Sequence, residues 1–401
     1  MWFFKKRVIP FFFENKKILE RIIMGDYIRG LVVRLHVTPE QDVLFKKNYG
    51  CTRKTYNVIL DKCIAKHGDD LKNVTGKEVD QFLMEAKNEF SYLRDTESTS
   101  LQQARDDVLK SINNYNYSKR HKAPKFHSKK ETRHSFRQTV RQDKRPVKGN
   151  ILTLRKYGKV EFSTSVEYLD LLNDPYTKFN NITVFTDGLY HYAAFNIECD
   201  APEQLPLTGK QIGCDINSNK NGWLVTSDEQ KEFFNVNHEN QMIKHVNRLM
   251  SKCRKGSRRW KRLQKRLQRW YNRRTNILKD YIEKLSYNLV KEYDTIVFEE
   301  NYSNIKILIG GEQNMIFPLS RFIQRLKDKF QLYKPEADGV QFTNAKNTSK
   351  TCQHCQHINE DLDVKEREWM CPKCGKILDR DVNAAINILN RWCDGDSLVQ
   401  T

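Results

Sequence analysis

No run of eighteen apolar residues occurs anywhere in the 401-residue sequence, so no segment reads as a membrane-spanning helix. The longest apolar stretch is Val8 to Phe13, and Pro10 interrupts it. That is too short and too broken for a secretory signal. Six of the ten cysteines (Cys51, Cys63, Cys199, Cys214, Cys253 and Cys393) are scattered without a framework, a usage that fits a reducing compartment. Acidic residues are in deficit. Asp and Glu number 50 against 70 Lys and Arg, a net charge of +20. A charge of that size implies a polyanionic partner, with nucleic acid the default. The length is too great for one compact core and predicts two or three domains.

The other four cysteines are ordered. Cys352-Gln-His-Cys355 is followed after fifteen residues by Cys371-Pro-Lys-Cys374-Gly375. Four thiolates on two tight turns form a closed tetrahedral site, which suits structural Zn²⁺ and leaves no open position for catalysis. Directly after it comes Asp379-Arg380-Asp381-Val-Asn383-Ala-Ala-Ile-Asn387, a helix start with carboxylates in the first turn, where the helix dipole favours negative charge.

Two further acids stand alone on apolar strands. Asp215 lies within Gln211-Ile-Gly-Cys-Asp-Ile-Asn217, which an Asn221-Gly222 turn joins to Trp223–Ser227; Glu299 and Glu300 end Asp294-Thr-Ile-Val-Phe-Glu-Glu. An acid on a buried strand is costly unless paired or bound to metal. These isolated strand acids, taken with the carboxylates that open the 379–387 helix, therefore suggest a metal-binding carboxylate set. Phosphodiester hydrolysis uses such a set, because two divalent ions about 3.5–4 Å apart activate water and stabilise the leaving oxygen.

Thr348-Ser349-Lys350-x-Cys-x-x-Cys, Cys-x-x-Cys-Gly and Asp-Arg-Asp-x-Asn-Ala-Ala-x-Asn-Ile together resemble the C-terminal signature of TnpB proteins, transposon-encoded RNA-guided DNA nucleases related to type V CRISPR effectors. Gly50-Cys51-x-Arg53-x-x-Tyr56-Asn57 resembles the N-terminal motif of that family, and Ile296-Val-x-Glu299 its second acidic motif. Two positions depart from the pattern: Gln356 replaces a glycine after the first cysteine pair, and Asn217 replaces the second glycine of Gly-x-Asp-x-Gly. The resemblance implies a multidomain α/β protein: an RNase H-like (RuvC) nuclease domain with a zinc-ribbon insert, plus a β-barrel wedge domain with an inserted helical bundle. It implies Asp215, Glu299 and Asp381 as catalytic Mg²⁺ ligands, and Cys352, Cys355, Cys371 and Cys374 as zinc ligands. It also implies a guide RNA and a target DNA as partners, one monomer per RNA, and a cytoplasmic, nucleoid-associated protein of a prokaryote. A compact type V effector using a separate crRNA, a cleavage-silent RNA-guided repressor and a DNA-joining transposase are the alternatives. The intact acidic triad argues against the repressor, and the zinc insert ahead of the last acid argues against the transposase.

The expected boundaries follow. Residues 1–24 form an appendage, disordered; 25–41 and 118–201 the wedge domain; 42–117 the helical recognition lobe; 202–209 a linker. Residues 210–347 and 377–393 form the nuclease domain, 348–376 the zinc insert and 394–401 a tail. Thr38-Pro39-Glu40-Gln41 is a helix start. Val79, Phe82, Leu83, Ala86 and Phe90 share one helical face, as do Leu101, Ala104, Val108, Ile112 and Tyr115. Residues 119–148 are rich in Lys, Arg and His, with Phe126 and Phe136 as apolar anchors, and read as a phosphate-contacting track. Ser251 to Thr275 holds twelve basic residues and no acidic one. Trp260, Leu263, Leu267 and Trp270 give it a dry stripe, and a second helix carries Ile277, Tyr281, Leu285 and Leu289. Candidate nucleic-acid contacts are Arg53, Lys54, Lys125, Lys129, Lys130, Arg258, Arg259, Lys261, Arg262, Lys265 and Arg266.

Overall fold

The computed structural model describes residues 27–68, 70–117, 122–130, 133–141, 144–217, 222–300, 308–309, 315–344, 346–363 and 365–395. The expected appendage at 1–24, the tail beyond 395 and Asn221 of the predicted turn lie outside them. The chain divides into two compact units, Met1–Ala201 and Pro202–Thr401.

In the first unit, β1 (Tyr27–His36) leads into α1 (Pro39–His67), α2 (Gly76–Glu89) and α3 (Ser98–Tyr117). Then come β2 (His134–Thr139), β3 (Val147–Lys148), β4 (Ile151–Leu154), β5 (Gly158–Ser163), α4 (Val166–Asn173), β6 (Lys178–Thr186) and β7 (His191–Cys199). Helix α1 starts where Thr38 and Gln41 cap each other reciprocally, with Pro39 in the first turn. The strands form one sheet in the order β2-β6-β7-β1-β5-β4-β3. Every neighbouring pair is antiparallel. Closure into a barrel would need β2 to pair with β3; they end the order, and no ladder joins them among the described residues.

Alternate residues of β7 and β1 are buried, as a sheet with one dry face requires. Leu31, Val33, Leu35, Phe136, Phe162, Val184 and Phe195 belong to that core, and Phe45 and Tyr49 of α1 reach into it. Val79, Phe82, Leu83 and Ala86 pack with Leu101, Ala104, Val108 and Ile112 in a separate helical core. The basic stretch divides. Phe136 is buried in β2, and the Arg145 guanidinium donates to the carbonyls of Leu172, Asp174, Pro175 and Thr177, so these two residues serve the fold. Phe126 is 53% exposed; its segment is held by Asn57, whose side chain exchanges two hydrogen bonds with the His127 backbone.

The second unit begins with β8 (Gln211–Ile216), β9 (Leu224–Thr226) and β10 (Lys231–Glu232), followed by α5 (Asn237–Ser251), α6 (Arg258–Glu292) and β11 (Thr295–Glu299). After β12 (Leu308–Ile309) and β13 (Met315–Ile316) come α7 (Leu319–Tyr333), β14 (Gly339–Thr343), β15 (Glu368–Met370), β16 (Ile377–Asp379) and α8 (Arg380–Cys393). The main sheet runs β10-β9-β8-β11-β14, with β8, β11 and β14 parallel and β9 and β10 antiparallel to their neighbours. Its core gathers Ile212, Cys214, Trp223, Ile296 and Phe298 with Leu278, Ile282, Leu285 and Leu289 of α6 and Phe322, Leu326 and Phe330 of α7. Where two helices were expected, α6 is one helix of 35 residues. No Gly or Pro interrupts 258–292, and nothing else in that stretch stops helix propagation.

Candidate active site and metal cluster

Two features of the second unit bring the candidate acids together. Asp215 sits near the carboxyl end of β8 and Glu299 ends β11. These strands are parallel, with Phe298 paired to Cys214, so the two acids occupy adjoining ladder positions. Helix α8 then lies against β8 at Gly213, where an added Cβ would stand 2.1 Å from the Ala385 carbonyl oxygen. Only a glycine admits that approach. Two residues along the strand from Gly213 is roughly 6.6 Å, and four residues back along the helix from Ala385 is roughly 6 Å. The two steps arrive at Asp215 and Asp381. The sequence contained this signal in Gly213, two positions before the acid on the same strand face.

The electrostatics record the crowding. Burial pushes the Asp215 carboxyl up to about 8, and the charges of Glu299 and Asp381 add to the effect. Burial also raises Glu299, against a hydrogen bond from Thr348, and raises Asp381, against the Arg367 guanidinium. Each acid accepts a hydrogen bond from a side chain. Asn217 Nδ2 donates to Asp215 Oδ2 at 2.6 Å, Thr348 Oγ1 to Glu299 Oε1 at 2.6 Å, and Arg367 to Asp381 Oδ1 at 2.9 Å. Asn217, the departure from glycine, thus puts an amide on the acid. Glu300 is exposed. Asp379 is the N-cap of α8, accepting from the N–H groups of Asp381 and Val382 and pairing with Lys231 at 2.7 Å. Burial works against its charge, but Lys231 and those N–H groups hold it below the usual carboxylate range. All-oxygen donors suit Mg²⁺. The three carboxylates do not converge as thiols do: among the described residues, the four cysteines are the one group of three or more His, Cys, Asp or Glu gathered to hold an ion.

The cysteine cluster has the dimensions of a tetrahedral site. The four Sγ atoms lie within 4.8 Å of one another, with Cys352–Cys374 at 3.7 Å and Cys355–Cys371 at 3.6 Å. Four bonds of about 2.3 Å to Zn²⁺ place tetrahedral corners about 3.8 Å apart. The two knuckles are alike. Gln356 and Gly375 both have positive φ, 58° and 70°, and their N–H groups donate to the carbonyls of Cys352 and Cys371 at 2.9 and 2.8 Å. Gln356 therefore adopts the glycine conformation, at a cost of about 1–2 kcal/mol.

Arg258, Arg259, Lys261, Arg262, Lys265 and Arg266 are all exposed on α6. Of the expected dry stripe only Leu263 is buried; Trp260, Leu267 and Trp270 are half-buried. Lys125, Lys129 and Lys130 are exposed, and Arg53 is half-buried on α1. Lys54 stacks its ammonium 4.1 Å from the Phe90 ring centre. Exposed Phe126 lies with Lys122 and Lys125 beside a groove of about 420 Å³ that Tyr56 and Ser111 also line.

Residues 194–304 match the family described as "Probable transposase" (OrfB of IS605), residues 24–70 its "Helix-turn-helix domain", and residues 320–388 the "Cas12f1-like, TNB domain". Residues 27–67 of the helix-turn-helix match form one strand and one helix. A "Putative RNA-guided DNA endonuclease" of Streptomyces pristinaespiralis is 27% identical over 383 residues, covering 92% of this chain and 90% of the relative. "TnpB-like protein L79" of Acanthamoeba polyphaga mimivirus is 31% identical over 176 residues, 41% of this chain and 31% of that one. These matches make the chain similar to TnpB-type proteins. A second full-length relative is the "Putative RNA-guided DNA endonuclease InsQ" of Escherichia coli K12, 24% identical over 87% of this chain and 89% of its own. Among solved structures, the protein of "Cryo-EM structure of the Cas12f1-sgRNA-target DNA complex" shares the fold. Its TM-score is 0.54 at 12% identity, over 91% of this chain and 99% of that one. No helix among the described residues is long and apolar enough to cross a membrane.

Proposed function

We propose that this protein is a TnpB-type RNA-guided DNA endonuclease that hydrolyses phosphodiester bonds of a target DNA at one RuvC-type site, with a guide RNA and the target DNA as its partners. The observation that carries the reading is the meeting of Asp215, Glu299 and Asp381 at the carboxyl ends of β8 and β11 and the first turn of α8, in a chain whose full-length relatives bear that name. The strand order β10-β9-β8-β11-β14, three parallel strands flanked by an antiparallel hairpin, is that of an RNase H-like fold and supports the same reading. In the first unit, the seven-stranded sheet acts as the wedge domain and α1–α3 as the recognition lobe.

Asp215, Glu299 and Asp381 would hold Mg²⁺, and bound Mg²⁺ supplies a water of lowered pKa together with charge stabilisation on the phosphate. The chain's own part is to bring three carboxylates together in partial burial and to keep each oriented through Asn217, Thr348 and Arg367. Burial and the neighbouring charges of Glu299 and Asp381 raise Asp215 and favour its protonated form, and a bound cation would favour the carboxylate. Asp379 caps the helix and stays outside the ligand set. The exposed cations of α6, with Lys125, Lys129 and Lys130, bind phosphates.

Asp215→Ala, Glu299→Ala and Asp381→Ala should each abolish Mg²⁺-dependent cleavage of a plasmid bearing the target, while RNA and DNA still copurify or gel-shift with the protein. Glu300→Gln should cleave nearly as the parent does. Cleavage by all three alanine variants would place the chemistry elsewhere. Sequencing the copurified RNA tests the guide: a structured RNA with a variable end is expected, and random fragments would overturn it.

A further inference from the structure

The cysteine cluster and the acids are joined by a short polar bridge. Thr348 stands four residues before Cys352 and is 4% exposed. Its hydroxyl donates to Glu299 Oε1, and its backbone is clamped from the other side. Asn387 Nδ2 donates to the carbonyls of Thr348 and Thr351 at 2.8 and 2.6 Å, and Asn383 Nδ2 to that of Thr351 at 2.8 Å. Asn383 Oδ1 accepts from the N–H of Gln353, inside the first knuckle, at 2.9 Å. Both asparagines are buried on α8, the helix whose first turn bears Asp381. The turn 347–351 is closed on itself by the N–H groups of Lys350 and Thr351 donating to the Asn347 carbonyl. One rigid piece of backbone thus touches a thiolate turn at one end and a candidate metal-binding carboxylate at the other.

A threonine hydroxyl has one proton and can orient one acceptor. A glutamate at a strand end has three soft torsions, so its carboxylate stays in one place only if something holds it. We propose that Thr348 is the positioning residue for Glu299, and that through it the metal content of the cysteine cluster sets the affinity of the acids for divalent ions. With four thiolates closed on zinc, the turn is fixed and Glu299 is held. With the cluster open, Glu299 loses its donor and the acids bind divalent ions weakly. The coupling is reciprocal, as any linkage between two binding sites must be. It rests on the endonuclease reading only in taking Asp215, Glu299 and Asp381 as divalent ligands.

The test needs no nucleic acid. Mn²⁺ binding to the purified full chain is followed by the loss of the free-ion electron paramagnetic resonance signal, for the parent, Thr348→Val, Thr348→Ser and Asp215→Ala. Zinc content and melting temperature are measured on each. Removing a hydrogen bond to a metal ligand typically weakens metal binding about 10- to 100-fold, and Thr348→Val should fall in that range with zinc and melting unchanged. Thr348→Ser should restore the parent value, which a merely steric role for the residue would not predict. Stripping the cluster with an organomercurial and a chelator should weaken Mn²⁺ binding of the parent by a similar factor and add little in Thr348→Val. Parent-like affinity in Thr348→Val, or in the stripped parent, overturns the proposal. Equal binding by the parent and Asp215→Ala is a different result: it removes the acids as divalent ligands and so overturns the site itself.

Discussion

Replacing Asp215 with asparagine should make the protein more stable when no divalent ion is added and zinc is retained, and the gain should grow with pH. The carboxyl is raised from 3.8 to about 8 by burial and by the charges of Glu299 and Asp381. A raised carboxyl binds more protons folded than unfolded. Its contribution to stability is therefore complete below pH 3.8 and is lost as pH climbs to about 8. By pH 7 the loss spans about three pKa units, at about 1.4 kcal/mol each, which sets a ceiling of roughly 4 kcal/mol. Water entering the cluster and outward rotation of the acids reduce it, so a gain of about 1–3 kcal/mol is expected, a few degrees of melting temperature for a unit of this size. Asparagine keeps an acceptor for the Asn217 amide and removes only the charge. Thermal unfolding of both proteins at pH 5, 6, 7 and 8 should show curves that diverge upward in pH. Added Mg²⁺ should then raise the parent and not the variant, by about 2.7 kcal/mol when the ion is at a hundred times its dissociation constant. A variant no more stable than the parent at pH 8, or an equal response of both to Mg²⁺, would refute the reasoning.

Two further outcomes follow from the metal cluster and the basic helix. Cys371→Ser should release zinc and lower the melting temperature, since one lost thiolate opens a closed site that organises its loops; metal analysis of the parent should find about one zinc per chain. Replacing Arg258, Arg259, Lys261 and Arg262 with Gln should weaken nucleic-acid binding and flatten its salt dependence by roughly one unit of slope per lost phosphate contact, while an unchanged slope would mean that these exposed cations only face solvent.

Much of the fold was legible because local signals agreed with tertiary packing. The Thr38-Pro39-Glu40-Gln41 helix start is such a signal, and the structure adopts it: Gln41 N–H donates to Thr38 Oγ1 and Thr38 N–H to Gln41 Oε1. What escaped notice had weaker or misleading patterns. Strand β2, His-Ser-Phe-Arg-Gln-Thr, lies in a stretch whose charge suggested phosphate binding, yet Phe136 and Gln138 face the core and only the alternate residues keep the charge outside. Strand β14 is five residues of mixed polarity whose place is set by pairing with β11, a partner more than forty residues away. Such pairing leaves no trace in local periodicity. The length of α6 was missed because its first half is stabilised by little burial and its second half by much, so the two halves look like separate helices on the page.

The candidate site divides in the same way. The candidate acids and cysteines show in residue type, spacing and motif resemblance: a charge on an apolar strand is costly without a metal or a partner, and two Cys-x-x-Cys pairs have zinc-ligand spacing. The groups that hold them are ordinary residues, and their roles exist only in three dimensions. Gly213 reads as one more small residue until α8 is seen to rest on it. Asn217 and Gln356 read as losses of glycine. In the structure Asn217 donates to Asp215, and Gln356 takes the backbone conformation a glycine would have taken. Thr348 belongs in sequence to the approach to the cysteine cluster but in space to Glu299. The distribution has a physical basis. A ligand must be one of a few side-chain types, whereas a group that orients it need only present one donor at one place, and many residues can do that once the backbone puts them there. The support of this site therefore lies in contacts, and its candidate ligands in sequence motifs.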